Sequence, residues 1–489
     1  MGRGGGGNVR APVRRRWRRV LVVAGCILGL TAAVAVPWFR PPTVDVPDRG
    51  VEITRVTVVN PGLGREPGRR VVVRGQRIAR IEPTGAAAST RYAGSYVLPG
   101  LIDMHVHYGA DQRELFGLLF LAYGVTAVRD TGDLTGTVAE TRRIIRDGEL
   151  AGPAVFSCGP ILDGDPPTWP GSRVVRDRDD AHAAVAEASA TGAECVKVYN
   201  DLGPDALAGV REAAAERRLA VIGHVPHGAE LADTGIADVQ HLTGVPEPLF
   251  TDTSFRGWVE SWLDLPEARI ATVVEESRRL GIAHTPTLVM WDRLSRLFAD
   301  GFDASPDRTL LPRYYRDVAW NPQAGLPLVR ELRPEVTTML GRALPTMLRV
   351  VGRLHAAGVR IHAGTDVPSP LVVPGASMHE ELRLLVSAGL TPEEAWASAT
   401  RVAGESLGVP GLGVVREGAP ANFLLFRDDP TVDLRALSTL QAVVAQGRLY
   451  PRADLEAVIA EHRALHASFV YDRVVTALAR PLLRWRFAR

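Results

Sequence analysis

At 489 residues and 46% hydrophobic, the chain is long enough for one large domain or two to three ordinary ones and can bury a sizeable core. Its formal net charge of +2 offers no field to recruit nucleic acid. With neither zinc-finger spacing nor an RNA-binding aromatic motif, nucleic acid is excluded as an expected partner. All but one of the 57 Lys+Arg residues are arginine, the exception being Lys197. Cys26, Cys158 and Cys195 sit in apolar contexts without metal-ligand spacing. The expectation is small buried thiols, with no disulfide framework and no thiolate zinc site.

The elements in chain order begin with a basic segment, residues 1–19, ahead of an uncharged apolar run at 20–39. A bilayer-spanning helix needs ~20 such residues, and arginines before a span stay cytoplasmic. The expectation is a single-pass cell-membrane protein, anchored by a transmembrane N-terminal segment, with everything after Arg40 outside the cytoplasm. Ala33-Val34-Ala35 also resembles a signal-peptidase site, so secretion after cleavage stays open.

Residues 46–97 carry β-branched runs such as Val71-Val72-Val73, separated by glycines, and the same texture returns over 411–452 in Asn422-Phe423-Leu424-Leu425-Phe426. The two pieces are expected to fold together as one small β-sandwich domain. Between them, over 98–410, eight apolar strand-like runs alternate with Ala/Arg/Glu-rich helical runs. That pattern predicts an α/β fold, a (β/α)8 TIM barrel with its catalytic side chains at the C-terminal strand ends. The stretch 291–345 is too long for an ordinary β–α connection and rich in aromatics, the mark of a lid or specificity element. A helical basic tail, 453–489, is expected to pack back on the protein.

His105 and His107 are spaced i, i+2, so in a strand both point to one face and can grip one metal. A lone His-x-His is a weak signal, but Lys197, His224, His241 and Asp366 also fall at strand ends. The motifs are Leu98-Pro99-Gly100-Leu101-Ile102-Asp103 leading into His105 and His107, Val196-Lys197-Val198-Tyr199, Gly223-His224-Val225-Pro226-His227-Gly228, Asp238-Val239-Gln240-His241 and His362-Ala363-Gly364-Thr365-Asp366. Over residues 51–450 this set resembles the amidohydrolase superfamily, in its imidazolonepropionase- and prolidase-like branch. The resemblance implies a binuclear metal centre. One ion is held by His105, His107 and Asp366, a second by His224 and His241, and a carboxylated Lys197 bridges them.

The lysine carries its own argument. An ammonium cannot ligate a cation, whereas a buried lysine with a depressed pKa can add CO2 and become a carbamate with two oxygens. Arginine cannot, so one lysine kept in an arginine-rich chain points to amine chemistry. Two divalent ions ~3.5–4 Å apart share a hydroxide and polarise a carbonyl, while Asp366 takes and returns the proton. Zinc suits the imidazole and oxygen ligands, with manganese or cobalt left open. His227 is a candidate catalytic or substrate contact, and Tyr199 and Tyr108 are candidate oxyanion donors.

The other histidines receive structural readings. His182, His355, His462 and His466 are expected to be solvated, His284 a pocket or core residue, His362 a support for the ligands, and His379 structural. Asp130 is expected to pair with nearby charge.

The expected activity is hydrolysis of an amide, peptide-like or lactam bond in a small molecule, with dipeptides and N-acyl amino acids favoured by the resemblance. A homo-oligomer is compatible with the sequence. One alternative is a catalytically silent membrane-anchored scaffold on the same fold. Another, disfavoured by Lys197 and by His227 where a glutamate shuttle would stand, is a mononuclear deaminase.

Overall fold

The computed structural model describes residues 41–486 except 86–90, 110–111, 247–252, 299–308 and 324. The basic segment and the apolar run at 20–39 lie outside the described residues. Among the described residues no helix is long and apolar enough to cross a membrane.

The strands are β1 (Val51–Asn60), β2 (Gly64–Arg74), β3 (Arg77–Pro83), β4 (Tyr96–Pro99), β5 (Leu101–Val106), β6 (Val125–Asp130), β7 (Ala154–Ser157), β8 (Ile161–Asp163), β9 (Arg173–Val174), β10 (Cys195–Val198), β11 (Ala220–Gly223), β12 (Asp238–Gln240), β13 (Ala283–Thr285), β14 (Phe423–Phe426), β15 (Leu440–Ala445) and β16 (Arg448–Pro451). Gly62 and Gly64 take φ of 74° and 118°, backbone that side-chain-bearing residues avoid, and so turn β1 back into β2.

The two ends of the chain share one seven-stranded sheet, in the order β16-β15-β14-β4-β1-β2-β3. The seam is antiparallel, from Phe423 opposite Pro99 to Phe426 opposite Tyr96. The expectation of a sandwich is thereby corrected to a single sheet, and strand alternation gives the reason. Phe423, Leu425, Ala442 and Val444 face one small apolar cluster with Ile53, Val71 and Val97. Leu424, Phe426, Val443 and Ala445 face the main core instead. That second face is covered by the body of the protein, so no second sheet is needed. Each such fully buried side chain contributes about 1.5–3 kcal/mol.

The central region alternates strands with helices, among them Arg113–Ala122, Val138–Asp147, Arg178–Ala190, Pro204–Arg217, Glu267–Leu280 and Pro334–Ala356. Its strands form a six-stranded sheet in the order β13-β12-β11-β10-β8-β9 and a three-stranded sheet β5-β6-β7, parallel throughout. The segment 361–367 joins them, bridging to His284 through Ile361 and to Val106 through Val367. On the other side the Glu194 N–H donates to the Ser157 carbonyl at 2.8 Å.

That last contact explains a second correction. Cys158 and Cys195 are disulfide-bonded, with Cα atoms 4.3 Å apart across 37 residues of sequence. Docking of β10 beside the end of β7 brings them together, a proximity that spacing does not encode. In the tail helix Arg452–Ala467, His462 and His466 are 1% and 6% exposed rather than solvated, because that helix packs on the sheet and on helix Phe469–Arg486.

Candidate metal centre

His105 lies in β5 and His107 just beyond it; Lys197 lies in β10, His224 directly follows β11, His241 directly follows β12, and Asp366 ends the joining segment. All six converge. Asp366 Oδ1 is 3.1 Å from His105 Nε2 and 3.3 Å from His107 Nε2. Lys197 Nζ is 3.3 Å from His105 Nε2. The His241 ring lies 4.4 Å from that of His105 and 4.9 Å from that of His224. The backbone is bent to achieve this: His241 and Asp366 have φ of 58° and 62°, the left-handed region that non-glycine residues occupy at a cost, and such residues gather at functional sites. At Gly364 a Cβ would come within 2.5 Å of Thr285 Cγ2 and 3.1 Å of the His105 backbone nitrogen, so only glycine lets the joining segment approach β5.

Each imidazole is held by its Nδ1 against an acceptor. His105 Nδ1 donates to Gln240 Oε1 at 2.6 Å, and the Gln240 amide nitrogen is turned to the Asp238 carbonyl. His107 Nδ1 donates to the Gly132 carbonyl at 3.0 Å, and His224 Nδ1 to Asn200 Oδ1 at 2.7 Å. His241 Nδ1 donates to Thr287 Oγ1 at 2.7 Å, whose own proton goes to the Pro286 carbonyl. With a proton on Nδ1, a neutral ring offers Nε2 as an acceptor.

The centre is therefore dominated by acceptors, with Lys197 Nζ reaching His105 Nε2 and Ser369 Oγ reaching Asp366 Oδ2. Burial, reinforced by Lys197, lowers His105 to about 3, and His224 and His241 are held well below their ordinary value by burial and by one another. Three neutral imidazoles thus face one another. Asp366 Oδ1 meets the His105 and His107 lone pairs, a contact of acceptors with acceptors. His224 Nε2 is buried with no hydrogen-bond partner. Such a set is stable only around a positive centre, so these donor atoms fit a metal. His105, His241 and Asp366 place their ligand atoms within 4.8 Å of one another, close enough to hold one ion.

Burial lowers the Lys197 amine to about 8 against the pull of Asp366, so an uncharged, nucleophilic fraction exists near neutral pH. Asp366 turns Oδ1 to the His105 and His107 rings. Its other oxygen accepts from Ser369 Oγ at 2.7 Å.

Beyond these six, the structure sorts the remaining candidates. Tyr199 stacks on His224 with ring centres 3.9 Å apart and lines the cavity. Burial raises its phenol, so it keeps its proton. His227 is not among the cavity-lining residues, and its placed contact is a backbone N–H donated to the Asn200 carbonyl. Tyr108 gives its hydroxyl proton to the Arg113 carbonyl at 2.9 Å, which removes it as an oxyanion donor. Asp130 accepts the Tyr108 and Gly132 amides and interacts through space with His107 and Lys197, while Arg129 reaches away to Asp238. His284 is a core residue bonded to Ser277, His379 holds the Tyr123 carbonyl, and His362 bonds Asp238 and Ser406. The supports Asn200, Gln240 and Thr287 escape the sequence reading. The first two stand beside motif residues, but Thr287 has no local signal.

A cavity of about 340 Å³ opens from the centre, and the long insertion roofs it through Tyr314, Tyr315, Ala319, Leu326 and Val329.

Comparison with known proteins fits this arrangement. The profile described as the amidohydrolase family matches residues 96–450. The chain belongs to the amidohydrolase family. It is accordingly a hydrolase acting on carbon–nitrogen bonds. A relative, an uncharacterized protein of Mycobacterium tuberculosis, is 26% identical over 391 residues, spanning 75% of this chain and 88% of that one. Among solved structures, bottromycin amidohydrolase superposes with a TM-score of 0.68 at 23% identity, over 90% of this chain and 94% of that one. A Xaa-Pro dipeptidase with methionine bound in its active site gives 0.61 at 19%, over 82% and 100%. The ochratoxinase of A. niger gives 0.59 at 20%, over 82% and 96%. At these identities the superpositions show a shared fold.

Proposed function

We propose that this chain hydrolyses an amide or peptide-like bond of a small substrate at a binuclear metal centre. The observation that carries the proposal is the convergence of four imidazoles held by Nδ1, one carboxylate and the one lysine. Names among the fold relatives, including an amidohydrolase and a dipeptidase, agree in bond type. We read the run of parallel strands closed through 361–367 as a (β/α)8 barrel spanning 98–410, with 46–97 and 411–452 as its composite β domain. Residues 20–39 are read as the anchor that leaves this body outside the cytoplasm, and the Cys158–Cys195 disulfide suits an oxidising compartment.

His105, His107, His224, His241 and Asp366 would hold two divalent ions, with zinc the metal the donors suit. When bound, such ions acidify an attacking water and polarise the scissile carbonyl. The chain's own groups do the rest. The Lys197 amine adds CO2, releasing one proton, and becomes a carbamate whose two oxygens can bridge. Asp366, ionised and held through Oδ2 by Ser369, takes the proton of the attacking water on Oδ1 and returns it to the leaving nitrogen. Tyr199, still protonated, donates towards the oxygen that gains charge.

The test is metal stoichiometry and amide hydrolysis by the full-length protein, with Lys197→Arg alongside. Two ions per wild-type chain, with both metal and turnover lost in the variant, are expected. Two ions and full activity in Lys197→Arg would remove the bridging role, and a wild type that binds metal without hydrolysing any amide would favour the scaffold.

A further inference from the structure

The wall of the cavity carries information about substrate that the metal centre does not. Its broad surfaces are apolar or aromatic, set by Phe116, Val138, Ile161, Trp169, Tyr314 and Tyr315. Among the described residues only four charged side chains line it: Asp130, Asp133, Lys197 and Asp366. Lys197 and Asp366 belong to the centre. Asp130 is spent on the chain, accepting the Tyr108 amide at 2.6 Å and the Gly132 amide at 3.1 Å. Asp133 is equally committed, with Oδ1 taking the Thr135 and Gly136 amides and Oδ2 the Val138 amide at the start of helix Val138–Asp147.

Arginine makes the pattern more pointed. In a chain where 57 residues are Lys+Arg, no arginine is among the described residues of this wall. Those on neighbouring segments point to acids elsewhere: Arg113 to Glu114 and Glu140, Arg313 to Asp317 and Asp472, Arg316 to Asp317. Two polar wall residues are also satisfied internally, Ser369 by Asp366 and Thr135 by Asp133 and Thr137. A carboxylate brought into this space would lose its water and, outside the centre itself, would meet only the like charges of Asp130 and Asp133 among the described residues.

We infer that the site takes amides bearing a bulky aryl or branched alkyl group and no free carboxylate, and that it discriminates against free amino-acid carboxylates. This rests on the proposed hydrolytic site for its chemistry, but on the wall alone for its selectivity. It moves the expected substrates away from free dipeptides and N-acyl amino acids and towards their neutral, blocked or internal counterparts.

Three probes of one shape separate the possibilities: N-acetylphenylalanine, its N-methylamide, and phenylalanine N-methylamide, which present an anion, no charge and a cation. Binding to the metal-loaded full-length protein is measured by calorimetry and turnover in parallel. The neutral probe should bind at least ten-fold tighter than the anion, and the cation should also bind tighter than the anion. An anion that binds as tightly as either other probe overturns the inference, as does no binding of the neutral probe at millimolar concentration. Selective binding without turnover leaves the inference standing and removes the hydrolytic reading; turnover with the anion preferred does the reverse. Leu134→Arg, on the half-buried rim, supplies the missing cation and should shift preference towards the acid by at least ten-fold. A Leu134→Arg protein that still melts cooperatively but shows no shift counts against the wall as the determinant.

Discussion

Two buried polar clusters share the same strands, and they are built on opposite rules. In one, Asp238 of β12 receives Arg129 of β6 at 2.5 Å, Thr285 of β13 at 2.9 Å and His362 of the joining segment at 3.1 Å. His362 passes its other nitrogen to Ser406, and Arg129 its Nε to the Met104 carbonyl. Donors meet acceptors throughout, and the cluster is closed. Just past the end of β12, His241 belongs to the other cluster, where acceptors outnumber the donors that reach them and His224 Nε2 is buried with no hydrogen-bond partner. Polar groups buried without partners are costly, so where a fold keeps them beside a neighbour that satisfies every partner, the open cluster is the place reserved for a ligand. The closed one holds the strands in register beneath it.

The contrast can be broken by substitution. Asp366→Asn should lower kcat by up to about 10⁴-fold, the span of a lost acid–base group, while the metal-free protein unfolds in urea at an unchanged or higher midpoint. A matching loss of stability would place Asp366 with the structural cluster. Arg129→Met should do the opposite. It strands the Asp238 charge and should cost about 3–5 kcal/mol in urea unfolding, with metal stoichiometry intact in the molecules that remain folded.

Smaller effects sharpen it. Thr287→Val removes the acceptor that orients His241 and should weaken metal affinity about 10–100-fold by competition with a chelator, leaving the metal-free melting temperature nearly unchanged. The gentlest probe is acid. Burial opposes ionisation of Asp238, but Arg129 and His362 outweigh it and hold the carboxyl well below its ordinary value. A depressed acid adds stability that is fully present above the unfolded pKa of about 3.9 and is lost as the pH falls towards the folded value. Wild type should therefore lose stability more steeply than Arg129→Met below about pH 4, measured by urea midpoints across the acid range.

Much of this architecture is legible in local sequence. The period-2 faces of Phe423-Leu424-Leu425-Phe426 are a local property, and they do divide between two apolar clusters. The i, i+2 pair His105 and His107 does share a face. What local pattern misses is of another kind. Cys158 and Cys195 meet only because β10 docks beside β7, and His466 is buried among His462, Tyr471 and the long insertion. The expected sandwich is one sheet because its second face has the rest of the protein to cover it.

Sequence by itself determined which chemistries were present: imidazoles, a carboxylate and one amine at the ends of apolar strands, because strand alternation and side-chain identity are carried within a few residues. Only the tertiary structure decided which ring nitrogen each histidine offers. That choice belongs to the atom on the far side of the ring, and His105 finds its own 135 residues away in Gln240, His241 its own 46 away in Thr287. Hydrogen bonding acts across space irrespective of separation along the chain, so no local pattern could have announced it.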